Sequence, residues 1–327
     1  LELNKAKNYD EYVNALSYYT APAQNFVFAS TEGDIALWIQ GKMPNKWKGQ
    51  GKYLLDGSNP DHDWKGFIPQ EFNPHVKNPE RDFVSSANQR PVDEDYPFYV
   101  FNDWYENDRN RVINQFFNTK EKFDIQDFRD LQNNNYNIRA ADLLPLMIAS
   151  VNEADLNQEE RKTLEELKAW NYMNDIEEVG PSIWQNWWWG LYDLIWDEFA
   201  DKDVALRKPA YYHTVSLLKN HGNDAFMDMK ETAEIETAQD LFLISFKETV
   251  KSMTTWKAEN GDYNWKDYKS THVDHLLQGL PAFSRFNLPI GGGSGIVNAT
   301  KKNHGPSWRM IVEMSSPPKA LGLSLIH

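Results

Sequence analysis

Asn88 lies between a small-residue run, Ser85-Ser86-Ala87, and the turn residues Gln89-Arg90-Pro91. A side-chain amide at the end of an extended run, beside a proline turn, can be held rigid and aimed at a cavity. An oxyanion donor needs just that, because its worth depends on being fixed where negative charge develops. Arg109 and Arg111 open a helical run and form a second polar feature. From these residues alone, an ordinary turn Asn and two Arg on a solvated face remain the better explanation.

Other groupings carry less. Asp61-His62-Asp63 has ligand density, but adjacent loop residues seldom converge on one ion. His272 and His275 are spaced i,i+3 on an expected helix and read as a structural pair, with no partner carboxylate evident. The run Gly291-Gly292-Gly293-Ser294-Gly295 precedes an expected strand and lacks a following Lys-Ser/Thr, so it is no phosphate loop. There is no G-x-S-x-G nucleophile elbow. Trp184–Trp189 has two readings: a core stripe on an amphipathic helix, or an aromatic wall for a sugar or acyl chain.

Composition narrows the classes. The 327 residues amount to about two domain-sized units. A net charge of −14 repels phosphate backbones and anionic lipid, which argues against nucleic-acid and membrane-surface partners. No apolar run is long enough to span a bilayer. The absence of Cys removes thiol nucleophiles, zinc–thiolate sites and iron–sulfur clusters. Residue 1 is Leu, and the last residues stop in a short apolar stretch, so both ends read as cut from a longer protein.

The positioning elements follow from periodicity. Tyr9–Tyr19 has helical spacing, and Asn25–Ser30 and Ile35–Gly41 read as a hairpin around Thr31-Glu32-Gly33-Asp34. Lys42–Arg81 is rich in Gly, Pro, Asn and Asp and should be an ordered loop. Phe83–Asn88 reads as a short strand. From about Trp104 to Asn220 the pattern is mainly helical, and Thr237–Lys257 is a further long helix. Gly295–Ala299 and Trp308–Met314 read as strands. The chain is therefore expected to be α+β, with strands at both sequence ends and helices between.

The ordered series of segments resembles the penicillin acylase (penicillin amidase) family of N-terminal-nucleophile hydrolases. The segments are AKNYDEYVNAL at Ala6–Leu16, NFVFASTEGDIALWIQGKMP from Asn25, HDWKGFIP at His62–Pro69 and FNPHVKNPERDFVSSANQRP at Phe72–Pro91. GGGSGIVNAT at Gly291–Thr300 and HGPSWRMIVEM at His304–Met314 continue the series. Residues 6–111 and roughly 272–320 are covered, and the helical middle only by its general character.

The resemblance implies part of a four-layer αββα sandwich with a large helical middle region. On that reading residues 1–111 are the sheet-and-loop part of the core that carries the Asn. Residues 112–270 are mainly helical, 271–322 are strands returning to the core, and 323–327 form a non-native or truncated tail. The family's precursor cleaves itself, and the β subunit then starts with a Ser whose hydroxyl is the nucleophile and whose α-amino group is the base. Asn88 falls on the family's oxyanion-hole Asn, and Arg109 on the active-site Arg that steadies it. The Ser, a second oxyanion donor and the α subunit would lie before Leu1, so this fragment alone is expected to be inactive.

The substrate class implied is a small N-acyl amide, whether a β-lactam side chain, an acyl-homoserine lactone or another N-acyl compound, and the location periplasmic or secreted. No cofactor is needed for the chemistry. Calcium occurs in parts of the family, but Phe98-Tyr99-Val100 stands where a carboxylate is expected, and the metal stays unassigned. The rival readings are a non-catalytic aromatic-surface binding protein and an acylase fold that has lost its nucleophile.

Overall fold

The computed structural model describes residues 1–100, 106–200, 206–277 and 280–324. They mix helix and sheet and fall into two compact units. One comprises Leu1–Phe128 with Met310–Leu323; the other comprises Arg129–Arg309 with the tail from Ser324. The start of the helical run at Trp104 and the tail beyond Ser324 lie outside the described residues.

In the first unit, helix α1 (Tyr9–Leu16) starts on Asn8, whose side chain accepts the Glu11 N–H. Asp10 and Glu11 then sit where the helix dipole favours anions. Strands β1 (Gln24–Ala29) and β2 (Ile35–Gln40) pair antiparallel, with Phe26 opposite Trp38. The inward residues of β2, Ala36 and Trp38, are buried, and Trp38 clusters with Tyr12 and Leu16 of α1. Gly33, at φ +98°, allows the connection to turn. Strand β3 (His75–Lys77) adds to the other edge of β2. Asn78 then ties strand to turn: its Oδ1 accepts the Ile35 N–H, and its Nδ2 donates to Asp34.

Helices α2 (Asp108–Phe117) and α3 (Ile125–Gln132) follow. Phe117 of α2 stacks on Phe83 at 4.7 Å, and Phe123 packs on both Phe116 and Phe117. This aromatic cluster fastens α2 to the segment around Phe83. The expected strand Phe83–Asn88 is not one. Its polar groups are taken by α2 and by Gln89 instead of a neighbouring ladder.

The second unit is built on α4 (Ile138–Ser150), α5 (Gln158–Ala169), α6 (Gly180–Ile195), α7 (Tyr211–Asn220), α8 (Ala238–Asn260) and the short α9 (Trp265–Lys269). Capping boxes at Asn157/Glu160 and Thr237/Asp240 start α5 and α8. The core lies chiefly between α6 and α8, where Ile183, Trp187, Leu191, Phe242 and Phe246 are almost fully buried. The Trp187 indole N–H donates to Ser245 Oγ at 3.0 Å, so the largest core side chain keeps its polar atom satisfied.

Strands β4 (Thr271–Val273) and β5 (Arg285–Leu288) pair antiparallel, as a separate two-stranded sheet from β6 (Trp308–Glu313) with β7 (Lys319–Ser324). Two expectations change here. His272 is in β4, not on a helix, and its Nε2 lies 3.4 Å from Asp274. Gly295–Ala299 is turn, not strand, because its backbone closes on itself and on other loops. Gly293 N–H donates to the Asn298 carbonyl, and Asn298 N–H to that of Asn134. Among the described residues, no helix is long and apolar enough to cross a membrane.

Candidate functional site

Asn88 has φ +68°, in the left-handed region that costs most residues strain and that Asn tolerates best after Gly. Two features hold it there. The Ala87 N–H donates to Gln89 Oε1 at 2.7 Å, closing the turn locally. From α2, Arg109 Nη2 donates to the Ala87 carbonyl at 3.0 Å and to Asn88 Oδ1 at 2.6 Å.

Those bonds decide which end of the amide is used. A guanidinium only donates, so the atom it meets must be the oxygen. The Nδ2 end, with two N–H donors, has no partner among the described residues, and the side chain is exposed. An Asn anchored through oxygen and open through nitrogen is a fixed donor beside a permanent positive charge. It can stabilise an oxygen that becomes negative.

A second tier of polar contacts keeps α2 against this turn. Asn110 Nδ2 donates to Ser85 Oγ, Ser85 Oγ to Asn114 Oδ1, and Asn114 Nδ2 to Asn110 Oδ1, at 3.1 to 3.2 Å. Asn110 and Asn114 share a helix face at i,i+4. The sequence reading did not single them out, although an i,i+4 Asn pair next to Arg109 was the available signal. Of the two arginines, it is Arg109 that meets Asn88.

The remaining candidates do not converge. His62 Nδ1 faces the Asp56 carbonyl at 3.0 Å, while Asp61 pairs loosely with Lys65 at 3.7 Å. Among the described residues, no three His, Asp or Glu side chains are grouped to hold a metal ion. Phe98, Tyr99 and Val100 offer a cation no side-chain carboxylate. Of the Trp cluster, Trp184, Trp187 and Trp188 are buried in the α6 core and Trp189 is half exposed. A cavity of about 80 Å³ reaches the edges of Trp184, Trp188 and Trp189, well below the size of small-molecule sites.

The Gly291–Gly295 run has a packing reason. Gly292 and Gly295 have positive φ, and a Cβ on Gly292 would fall on the Asn298 backbone. The carbonyls of Gly291 and Gly292 accept from Lys269 Nζ and the Trp265 indole, both at 2.7 Å. Lys269, buried without a carboxylate, is the side chain that sequence reasoning passed over.

Comparison with known proteins agrees with the architecture. The sequence model of a family described as penicillin amidase matches residues 1–326. Acyl-homoserine lactone acylase QuiP of Pseudomonas putida is 32% identical over 104 residues, 32% of this chain and 13% of that protein. Penicillin G acylase of Escherichia coli is 26% identical over 186 residues, 55% of this chain and 22% of that protein. The thermostable penicillin G acylase from Alcaligenes faecalis superposes with a TM-score of 0.59, covering 80% of this chain and 51% of that one. At 14% identity, that likeness is one of fold. The matched stretches are thus less than a quarter of these curated relatives' length.

Proposed function

We propose, since the chain belongs to the penicillin amidase family, that it supplies the oxyanion-stabilising part of a hydrolase that cleaves N-acyl amides into acid and amine. The observation that carries this reading is the Arg109–Asn88 bond, which fixes the amide oxygen and leaves Nδ2 to donate. Relatives named as acyl-homoserine lactone acylase and penicillin G acylase add support for acyl-amide chemistry.

In this reading the hydroxyl of an N-terminal Ser, ahead of Leu1 in the β subunit, attacks the amide carbonyl carbon. The Ser α-amino group takes the hydroxyl proton. The carbonyl π electrons move onto oxygen, and Asn88 Nδ2 donates to that oxyanion. Collapse breaks the C–N bond, and the proton passes from the α-ammonium to the departing amine. Water then attacks the acyl-enzyme ester by the same route and releases the carboxylic acid. Arg109 is a positioning residue: it holds Asn88 and adds positive potential. The chemistry needs no cofactor or metal. The α subunit and the start of the β subunit are the partners, and maturation by self-cleavage in the periplasm follows from the resemblance.

The test is Asn88→Ala in the mature protein assayed on N-acyl amides. The expected result is a loss of about 10²–10³ in kcat with KM little changed. An unchanged kcat overturns the role of Asn88. N-terminal sequencing of the mature chains separates a working enzyme, whose larger chain starts at Ser, from a fold that has lost its nucleophile.

A further inference from the structure

The second unit holds a cleft of about 410 Å³, within the range of small-molecule sites. One side is aromatic. Trp256 near the end of α8 meets Tyr268 of α9 with ring centroids 5.5 Å apart, and Tyr268 lies near-parallel to Trp265. Asn186 of α6 donates to Tyr268 Oη at 3.2 Å and fixes that ring. The other side is the loop from Gly293 to Lys302, which contributes Ser294, Thr300, Lys301 and Lys302.

Lys269 lines this cleft and is only 7% exposed. Its Nζ donates to the Gly291 carbonyl and to Thr300 Oγ1, each at 2.7 Å. Both acceptors are neutral, the ammonium has a third N–H, and beside these Nζ lies 5.6 Å from the centre of the Trp265 ring, which carries no formal charge. The lining residues include no Asp or Glu, while Lys301 and Lys302 are exposed on the rim. A buried ammonium without a counter-ion is costly, and burial pushes Lys269 down to about 8. The rim is built rather than loose: the His272 N–H of β4 donates to the Lys302 carbonyl at 2.6 Å, and Thr271 Oγ1 to that of Lys301.

We infer that this cleft binds a small organic carboxylate with a flat apolar body, the carboxylate on Lys269 and the body along Trp256 and Tyr268. The cleft supplies what such a ligand lacks in water: a preplaced cation, an aromatic wall of two tilted rings, and two further lysines that draw anions toward a chain whose net charge is −14. Neither Asn88 nor Arg109 enters this inference, so it stands apart from the amidase reading.

The probe is 2-naphthoate, with neutral 2-naphthamide as its control, titrated calorimetrically into the full chain at pH 7. We expect one naphthoate per chain, bound at least about tenfold tighter than naphthamide, as for a charge-assisted hydrogen bond in a dry site. Lys269→Met should remove that preference while leaving naphthamide binding unchanged. Lys302→Glu, on the exposed rim, should weaken naphthoate several-fold and serves if Lys269→Met does not fold. Equal binding of the two probes, no binding of naphthoate, or no effect of either substitution overturns the inference. Lys269 would then be a staple across the glycine-rich loop.

Discussion

Arg109 grips Asn88 by its amide oxygen, with 2.6 Å between Nη2 and Oδ1, and with the same nitrogen grips the preceding carbonyl of Ala87. One donor atom thus sets both the side chain and the backbone of a turn in the left-handed region. The pairing separates two quantities that usually fall together on mutation, the stability of the turn and the donation of Nδ2.

Asn88→Gly and Asn88→Ala should therefore diverge in stability and agree in activity. Gly takes φ +68° without strain, whereas Ala in that region costs about 1–2 kcal/mol. Thermal unfolding should show Asn88→Gly at or near the wild-type Tm and Asn88→Ala lower, with both losing kcat alike. A Gly variant that kept its activity would remove the side-chain amide from the mechanism.

Arg109→Lys keeps a charge but loses the planar donor that spans two acceptors. A displaced Nδ2 lowers kcat, and a misplacement of about 1 Å is enough for roughly a hundredfold. Steady-state kinetics should show the loss in kcat with KM nearly constant. A change confined to KM would mean that Arg109 binds substrate directly.

Lys269 gives a pH dependence of definite sign. Its folded-state value of about 8 lies below the ordinary 10.5, so below pH 8 both states are charged and the native state bears the full cost of burial. Between pH 8 and 10.5 the unfolded chain binds more protons, and stability rises with pH. Buried Tyr12 and Tyr263 have hydroxyls pushed up by burial and act in the opposite sense above pH 10. The other charged groups lining the cleft are Lys301 and Lys302, both exposed. Denaturant titrations of wild type and Lys269→Met from pH 7 to 9.5 should show the wild type gaining on the variant as pH rises.

Two glycines of the second unit should respond in opposite directions to Ala. At Gly292, with φ +77°, the new Cβ meets the Asn298 backbone, and a loss of more than about 2 kcal/mol is expected. Gly190 lies in α6 with open space around it, and Ala there should stabilise by about 0.5–1 kcal/mol. Chemical unfolding reads both.

The Trp cluster can be sorted in the same way. Trp187→Ala removes a fully buried ring and its bond to Ser245, at about 3–5 kcal/mol. Trp189→Ala, half exposed and touching Tyr192 edge-on, should cost under about 1 kcal/mol. Equal losses at the two positions would contradict the core assignment.

Periodicity was enough for elements whose signal is local. The β1–β2 hairpin could be read from alternation around Gly33, and α8 from its spacing after Thr237. It failed where short apolar runs imitate strands. Phe83–Asn88 and Gly295–Ala299 have strand-like residues, but their hydrogen bonds go to α2 and to loop backbone far away in sequence. His272 was misread for a related reason: its spacing from His275 fits a helix, yet β5 captures the segment from the other side of a loop. In the candidate site, Asn88 and Arg109 stand out in the sequence as polar features, but only the resemblance gives them their roles. Their contact spans 21 residues, and no local pattern encodes the left-handed turn or the buried position of Lys269.

The stitching of α2 to the Ser85–Asn88 turn also bears on which changes in chain length the protein can accept. Arg109, Asn110 and Asn114 reach that turn from fixed angles about the helix axis. Each inserted or deleted residue rotates everything beyond it by about 100° and shifts it by 1.5 Å. A single-residue insertion between Asn110 and Asn114 would therefore swing Asn114 off Ser85 while leaving Arg109 on Asn88. Substitutions along the outward face of α2 are cheap by comparison, so the helix should vary in composition but hold its residue count between 109 and 114.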